Sequence, residues 1–195
     1  MELSVQLTLF GAVKAGDVAA VQQALKSGID IEARDNEGNT LLMQAAHSGN
    51  LNLVKILLQA GADVNAHDEL GWAPLSKAVY NFELKHGFAD VVKVLLDAGA
   101  NFEAPIGYGV RPLMIAAGYG ETAVVEILLQ AGADVLALNE GGLTALMMVK
   151  QKHYVDVINI LHEAEREAGV GEGSCATKNE PNSKVVTFLK PAHKI

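Results

Sequence analysis

Short helical patterns of apolar residues alternate with polar turns along this chain. In residues 38–68, small apolar residues three and four positions apart predict a first helix, and Gly49 interrupts that pattern. A broader apolar pattern over residues 53–58 predicts a second helix. Gly61 marks its end, since glycine adopts a left-handed backbone at little cost. Asp and Asn residues then predict an extended turn or hairpin before the next apolar pattern.

The same block recurs along the chain with a nearly constant period. The glycine that opens each full block stands at Gly38, Gly71, Gly109 and Gly142, in steps of 33, 38 and 33 residues. A period of this size predicts a stacked-repeat architecture whose function lies on a surface rather than in an enclosed pocket. We therefore predict one all-α domain over residues 1–169, with units at about 5–37, 38–70, 71–108, 109–141 and 142–169.

The repeating block resembles the ankyrin repeat. The resemblance is carried by Gly61-Ala62-Asp63-Val64-Asn65-Ala66, by Val91-Val92-Lys93-Val94-Leu95-Leu96 and by Ala73-Pro74-Leu75. It implies a solenoid of helix-turn-helix units joined by β-hairpin loops. It also implies a protein-binding function through the hairpin tips and the concave face of the first helices, without common catalytic residues.

The start of each first helix departs from the family pattern Thr-Pro-Leu-His. Those four positions read Thr40-Leu41-Leu42-Met43, Ala73-Pro74-Leu75-Ser76, Arg111-Pro112-Leu113-Met114 and Thr144-Ala145-Leu146-Met147. No unit keeps both the capping Thr and the Pro, and the His with its hydrogen bonds is absent throughout. Because each lost cap costs about 1 kcal/mol, we expect a correctly folded array of moderate stability.

Two segments in the middle of the array carry unusual apolar residues. The five extra residues of the third unit lie within 79–86, where they either extend the first helix or enlarge the loop after it. In the next connection, residues 104–109 replace the usual polar tip with Pro, Gly, Ile and Tyr. Each segment is interpreted as a contact surface, although the inserted side chains could instead pack on the adjacent unit.

The chain has ten aromatic residues, and its single Trp and three of its four Tyr fall at positions that should face outward. Tyr and Trp at such positions are typical of an interaction hot spot. The alternative is that these rings pack against neighbouring hairpins and only stiffen the surface. The predicted partner-binding residues are Leu70, Trp72, Tyr80, Phe82, Ile106, Tyr108, Val110, Tyr119 and Leu143.

Charge and composition narrow the classes of partner. The net charge is −8, and residues 1–162 contain 18 acidic and ten basic residues. An acidic array is poorly suited to nucleic acid, so a neutral or basic protein surface is the expected partner, unless the charge serves solubility alone. No apolar run is long enough to span a membrane, and no basic segment precedes an apolar one at the N-terminus. With Cys175 as the single cysteine, we expect a cytoplasmic monomer.

Residues suited to catalysis or to metal binding are scattered. The six His residues form no metal-binding spacing, Cys175 has no pairing His nearby, and no phosphate-binding loop is present. We therefore predict no catalytic residues, no metal, no cofactor and no enzymatic activity.

The chain continues beyond the last predicted repeat. The final helix should extend from Val155 to Ala168, with Gly169 after it, and its charged end is typical of a terminal cap. Residues 170–184 are interpreted as a linker. The apolar segment 185–191 suits a β-strand, which could dock on its own array or on the sheet edge of a partner.

These features together predict a module for protein–protein interaction. It would bind a partner protein through the concave face and the hairpin tips of its central repeats. Two alternatives remain open from the sequence. One is an inhibitor or chaperone-like regulatory subunit of an enzyme, and the other is a structural subunit that its C-terminal tail holds in a larger assembly.

Overall fold

Ten α-helices follow one another in pairs. A computed structural model describes residues 2–169, with side chains from residue 9 onward, so the predicted linker and the apolar segment 185–191 lie outside the described residues. The helices are α1 (Glu2–Ala15), α2 (Val18–Lys26), α3 (Leu41–His47), α4 (Leu51–Gln59), α5 (Pro74–Val79), α6 (Ala89–Asp97), α7 (Pro112–Tyr119), α8 (Thr122–Gln130), α9 (Ala145–Val149) and α10 (Val155–Glu167).

The helix pairs stack into two rows. The first helices α1, α3, α5, α7 and α9 contact one another in sequence, and so do the second helices α2, α4, α6, α8 and α10. The predicted all-α solenoid of helix pairs is thus confirmed. Helix α10 ends at Glu167, one residue before the predicted end, and Gly169 follows with a left-handed backbone.

A ladder of leucines lies between the two rows. Leu57, Leu95, Leu128 and Leu161 occupy the equivalent position of successive second helices, and all four are fully buried. Fully burying one leucine contributes about 1.5–3 kcal/mol, so this position stabilises each unit together with the other buried residues around it. Small residues such as Ala45 and Ala116 on the first helices let the adjacent backbones approach closely.

The first helices begin in two different ways. Thr40 and Thr144 accept hydrogen bonds from the backbone N–H groups of Met43 and Met147, at 3.3 and 3.2 Å. Helices α5 and α7 instead begin with a proline and have no side-chain cap. Each first helix from α3 to α9 therefore keeps one of the two helix-start features of the family, as the sequence indicated.

The connections between units are turns rather than strands. Residues 2–169 contain no β-strand, and the only pairings there are isolated bridges between Arg34 and Thr40, Asn81 and His86, and Ile106 and Val110. Side chains tie successive connections together instead. The oxygens of Glu32, Asn65 and Glu103 each accept a 2.8 Å hydrogen bond from the backbone N–H of the next unit, at Asp63, Asn101 and Asp134.

Glycines between paired helices allow neighbouring units to approach. Gly49 has a φ of 66°, and a Cβ atom there would overlap the ring of Phe88 in the next unit. Gly120 has a φ of 79°, and a Cβ atom there would likewise be too close to the ring of Tyr154 in the next unit. These positions need glycine for two reasons, the left-handed backbone and the neighbouring ring.

Gly49→Ala and Gly61→Ala should therefore differ in stability. Gly61 also has a positive φ, but a Cβ atom there meets no atom within 4 Å. The left-handed backbone alone should lower the free energy of unfolding by about 1–2 kcal/mol in Gly61→Ala. Overlap with Phe88 should add a further 1–3 kcal/mol, approximately, in Gly49→Ala. Urea unfolding measures both, and equal losses would contradict the proposed close approach.

Candidate functional site

Four aromatic side chains form one cluster on the row of first helices: Trp72, Tyr80, Phe82 and Tyr119, here called the aromatic cluster. The rings of Tyr80 and Tyr119 are stacked, with centroids 3.8 Å apart and an angle of 11°. Phe82 meets the other three rings edge-on, at 5.1 Å from Tyr80, 5.4 Å from Tyr119 and 6.4 Å from Trp72. Such pairs contribute about 0.5–1.5 kcal/mol beyond burial, so the cluster is held in place without a partner.

The extra residues of the third unit form a loop, because helix α5 ends at Val79 and is not extended. Asn81 anchors that loop with a side chain only 3% exposed. Its amide group donates a 2.7 Å hydrogen bond to the carbonyl oxygen of His47, and its carbonyl oxygen accepts two 2.8 Å bonds from the backbone of Glu83 and Leu84. This anchoring holds the ring of Phe82 against the other three rings of the aromatic cluster.

An open groove lies beside the aromatic cluster, with a volume of about 280 Å³. It spans three units of the stack, and no residue of a second helix lines it. Met114 and Ile115 of α7 are almost fully buried and contribute side chains to its lining. The lining residues of this central groove are Trp72, Phe82, Ile106, Val110, Met114, Ile115, Gly118, Tyr119, Met148 and Lys152.

Two lysines lie over rings of the aromatic cluster. The Nζ atom of Lys77 is 5.6 Å from the ring centre of Trp72 and 3.2 Å from a carboxylate oxygen of Asp68. The Nζ atom of Lys152 is 5.6 Å from the ring centre of Tyr119, and it donates a hydrogen bond to the carbonyl oxygen of Gly118. Because these ammonium groups already occupy two ring faces, the cluster is not an empty cage for a cationic ligand.

Desolvation changes the acid–base behaviour of one tyrosine in the cluster. It raises the pKa of the Tyr80 hydroxyl, with smaller contributions from Tyr119 and Glu121. Like an ordinary tyrosine, Tyr80 is protonated at neutral pH and is available as a hydrogen-bond donor, and the raised pKa extends that state to higher pH.

The connection before α7 lacks the Asp or Asn side chain that accepts backbone hydrogen bonds in the other connections. In the preceding connection, Asp68 accepts hydrogen bonds from the backbone N–H groups of Leu70 and Trp72 at 3.0 and 2.9 Å. Ile106 stands at the equivalent position and has no such acceptor. A short 3₁₀ helix, Gly107–Gly109, replaces the turn, and Tyr108 has a left-handed φ of 62° with 83% of its surface exposed.

The structure brings together most of the residues predicted from the sequence to bind a partner. Five of them line the central groove: Trp72, Phe82, Ile106, Val110 and Tyr119. A sixth, Tyr80, stacks on Tyr119.

The remaining three predicted residues lie outside the central groove. Leu70 and Tyr108 are exposed on connections between units, and Leu143 is exposed just before α9. Their part in binding stays a prediction.

The sequence interpretation missed three apolar residues of the central groove: Met114, Ile115 and Met148. A signal for two of them was present in the sequence. The position of Ile115 and Met148 is polar in the earlier units, where Gln44 and Lys77 occupy it. A change from polar to apolar at one repeat position marks where the surface of the array becomes apolar.

A second, polar groove of about 490 Å³ adjoins the inserted loop on its other side. It shares no lining residue with the central groove. The residues that line it are Lys14, Glu37, Asn39, Met43, Gln44, His47, Ser48, Lys77, Asn81, Glu83 and Leu84. The inserted loop therefore separates an apolar surface, which carries Phe82, from a polar one, which carries Glu83 and Leu84.

His47 in the polar groove has an altered acid–base equilibrium. Burial is the main factor that lowers the pKa of its imidazole below the usual value of 6.5, and Lys77 and Lys14 lower the pKa further. Glu83 and Glu37 oppose that effect but do not reverse it. The folded protein therefore favours the neutral imidazole.

Metal-binding clusters and membrane-spanning helices are both absent from the part of the chain that the structure describes. It holds no group of three or more His, Cys, Asp or Glu side chains placed to bind a metal ion. Of the helices between residues 2 and 169, none combines the length and the apolar character needed to cross a membrane.

Comparison with known proteins identifies the repeat. The family model described as ankyrin repeats, in three copies, matches residues 9–106 and 84–172. The two matches overlap and together cover most of the chain. A search of curated proteins found no matching sequence.

The lowered pKa of His47 predicts a pH dependence of stability. Since the folded pKa lies below the unfolded one, the contribution of His47 is complete above about pH 6.5 and is lost as the pH falls below that value. His47→Gln should therefore lose less stability than the unmodified chain between pH 7.5 and pH 5. Urea unfolding at both pH values measures this difference. His86→Gln, on the exposed loop, is the control, and an equal pH effect in all three proteins would contradict the prediction.

Proposed function

The chain belongs to the ankyrin-repeat family, and from this premise we propose that its central groove binds an apolar segment of a partner protein. Ankyrin repeats are generally protein–protein interaction modules. The observation that carries the proposal is an open, largely apolar groove shared by three units and bordered by a rigid aromatic cluster. Such preformed concave surfaces with aromatic anchors are typical of binding hot spots.

Exposed aromatic surface at the groove offers substantial binding energy. Phe82 is 53% exposed and Tyr119 is 40% exposed. Covering the exposed half of Phe82 would remove roughly 100 Å² of apolar surface from water, worth about 2.5 kcal/mol. Because the ring is already fixed by its neighbours, little of that energy is lost in ordering the side chain.

Charge favours a partner whose apolar segment has neutral or basic flanks. Residues 1–162 carry 18 acidic and ten basic residues. Lys152 is the one charged side chain among the described residues that line the central groove, and its ammonium group lies over Tyr119. Basic groups of a partner would therefore lie outside the central groove, on the polar side of the inserted loop that carries Glu83.

The proposed role is that of a non-enzymatic, cytoplasmic adaptor that acts as a monomer. Ankyrin-repeat proteins are typically non-enzymatic interaction modules. An inhibitor or chaperone-like subunit would use the same groove, and it would differ by changing the activity of the bound partner. An activity assay of the recovered partner separates these two roles.

Phe82→Ala and Leu84→Ala form a matched pair that tests the proposed site. Both residues lie on the inserted loop and are similarly exposed, at 53% and 56%, but Phe82 lines the central groove whereas Leu84 lines the polar one. If Phe82 is a hot spot, its truncation should weaken partner binding about thirtyfold, equivalent to about 2 kcal/mol. Leu84→Ala should bind nearly as the unmodified protein does.

The partner is first recovered from source cells by affinity capture and identified by mass spectrometry. The Kd of the purified pair is then measured for each variant, with thermal unfolding as the check on folding. Equal affinity of Phe82→Ala and the unmodified protein would place binding elsewhere on the array. Loss of binding only on deletion of residues 180–195 would instead support a structural subunit held by its tail.

A further inference from the structure

The central groove has a suitable occupant within the same chain. We propose that residues 184–190 dock in the central groove of their own molecule and compete there with a partner. The proposal shares the groove with the proposed function, but it concerns the chain in isolation. It therefore stands or falls without any partner being present.

The end of the described chain lies close to the groove. The hydroxyl of Thr144 donates a 3.4 Å hydrogen bond to a carboxylate oxygen of Glu165, so the last turns of α10 lie beside the start of α9. Helix α9 itself contributes Met148 to the lining of the groove. The end of the described chain, from which the C-terminal segment continues, is thus separated from the groove by about one short helix.

The intervening chain is long enough for intramolecular docking. Fourteen residues, 170–183, separate the described part from the proposed docking segment. Fully extended, they reach about 50 Å. A coil of the same length has a root-mean-square end-to-end distance of about 20 Å. Docking within one molecule therefore requires no stretching of the chain, and a second copy is not needed.

The chemistry of the segment matches that of the groove and its surroundings. Its apolar residues are Val185, Val186, Phe188 and Leu189, and they would face a lining dominated by aromatic, Met and Ile side chains. A lysine stands at each end, Lys184 and Lys190, and residues 181–195 contain no Asp or Glu. The array that receives this basic segment carries the whole acidic excess of the chain. Charge therefore favours the encounter, and apolar burial holds the segment.

An acidic group lies near the residues that line the groove. Glu83 follows Phe82 on the inserted loop and lines the polar groove on the other side of that loop. A flanking lysine that reaches past Phe82 would meet this carboxylate while the apolar residues between the lysines enter the central groove. Lys152 covers one ring face, so an apolar side chain suits the groove better than a lysine does.

Tethering makes even a weak contact effective. A short linker gives an effective concentration of about 1 mM. A free peptide of Kd near 0.1 mM would then correspond to a tethered segment docked in roughly nine molecules out of ten. An intrinsic Kd well above 1 mM would leave the groove mostly empty. The proposal therefore sets a measurable limit on the affinity of the free segment.

Trp72 reports directly on the groove because it is the only tryptophan in the chain and lines the groove. In the full chain, the double variant Phe188→Ser, Leu189→Ser should shift Trp72 emission to longer wavelength and increase its quenching by acrylamide. Thr187→Ser is the matched control, since it retains the apolar residues, and it should behave as the unmodified chain does. Thermal unfolding checks that the array itself is unchanged.

A synthetic peptide of residues 181–195 completes the test. Added to the double variant, it should reverse the shift with a Kd of about 0.1 mM or tighter. The same peptide should have at least tenfold weaker affinity for a protein that also carries Phe82→Ser.

Three results would overturn the proposal. One is identical Trp72 emission in the unmodified chain and the double variant. Another is the absence of any peptide effect up to about 1 mM. The third is a Trp72 signal of the unmodified chain that depends on protein concentration, because it would show docking between copies. None of these results bears on capture of a partner by the matched pair Phe82→Ala and Leu84→Ala, so the two proposals fail independently.

Discussion

The structure depends on one constraint: a helix pair can bury its apolar side only against the next pair. Two features of the structure follow from that constraint. One is the leucine ladder from Leu57 to Leu161, and the other is the pair of glycines that leave room for the rings of Phe88 and Tyr154. Both belong to the packing of the helix pairs, and neither involves the exposed surface of the first helices. Stacking therefore fixes the spacing of the units while leaving that surface free to differ from one unit to the next.

The candidate site consists of such differences. Gln44 and Lys77 give way to Ile115 and Met148 at one repeat position, and this makes the groove apolar. At another position, Ile106 replaces an aspartate and reshapes a connection. The inserted loop adds Phe82 above the stacked tyrosines. None of these changes involves a residue of the buried ladder, so the surface of the groove can differ from that of other units at little cost to the stability of the array.

The fold could be predicted from the sequence because the repeat period records the stacking directly. The apolar and glycine positions recur at that period, and the ten helices between residues 2 and 169 follow from them. Most of the aromatic residues of the site could also be selected, since Trp and Tyr at outward positions are unusual. Their mutual arrangement could not be predicted. It depends on whether the insertion lengthens α5 or forms a loop, and a hydrogen bond from Asn81 to the preceding unit determines that outcome.

The same hydrogen bond also shows how the site is kept rigid. Asn81 and Lys152 occupy equivalent positions after their first helices, and each donates a hydrogen bond to a carbonyl oxygen near the end of the preceding first helix. Two different side chains thus make the same kind of hydrogen bond to the preceding first helix, but they give the surface different properties. The asparagine supports an inserted loop, whereas the lysine places a charge over Tyr119. Because both are tied to the stack, the groove is formed without a bound segment, and the proposed binding there would require little reorganisation.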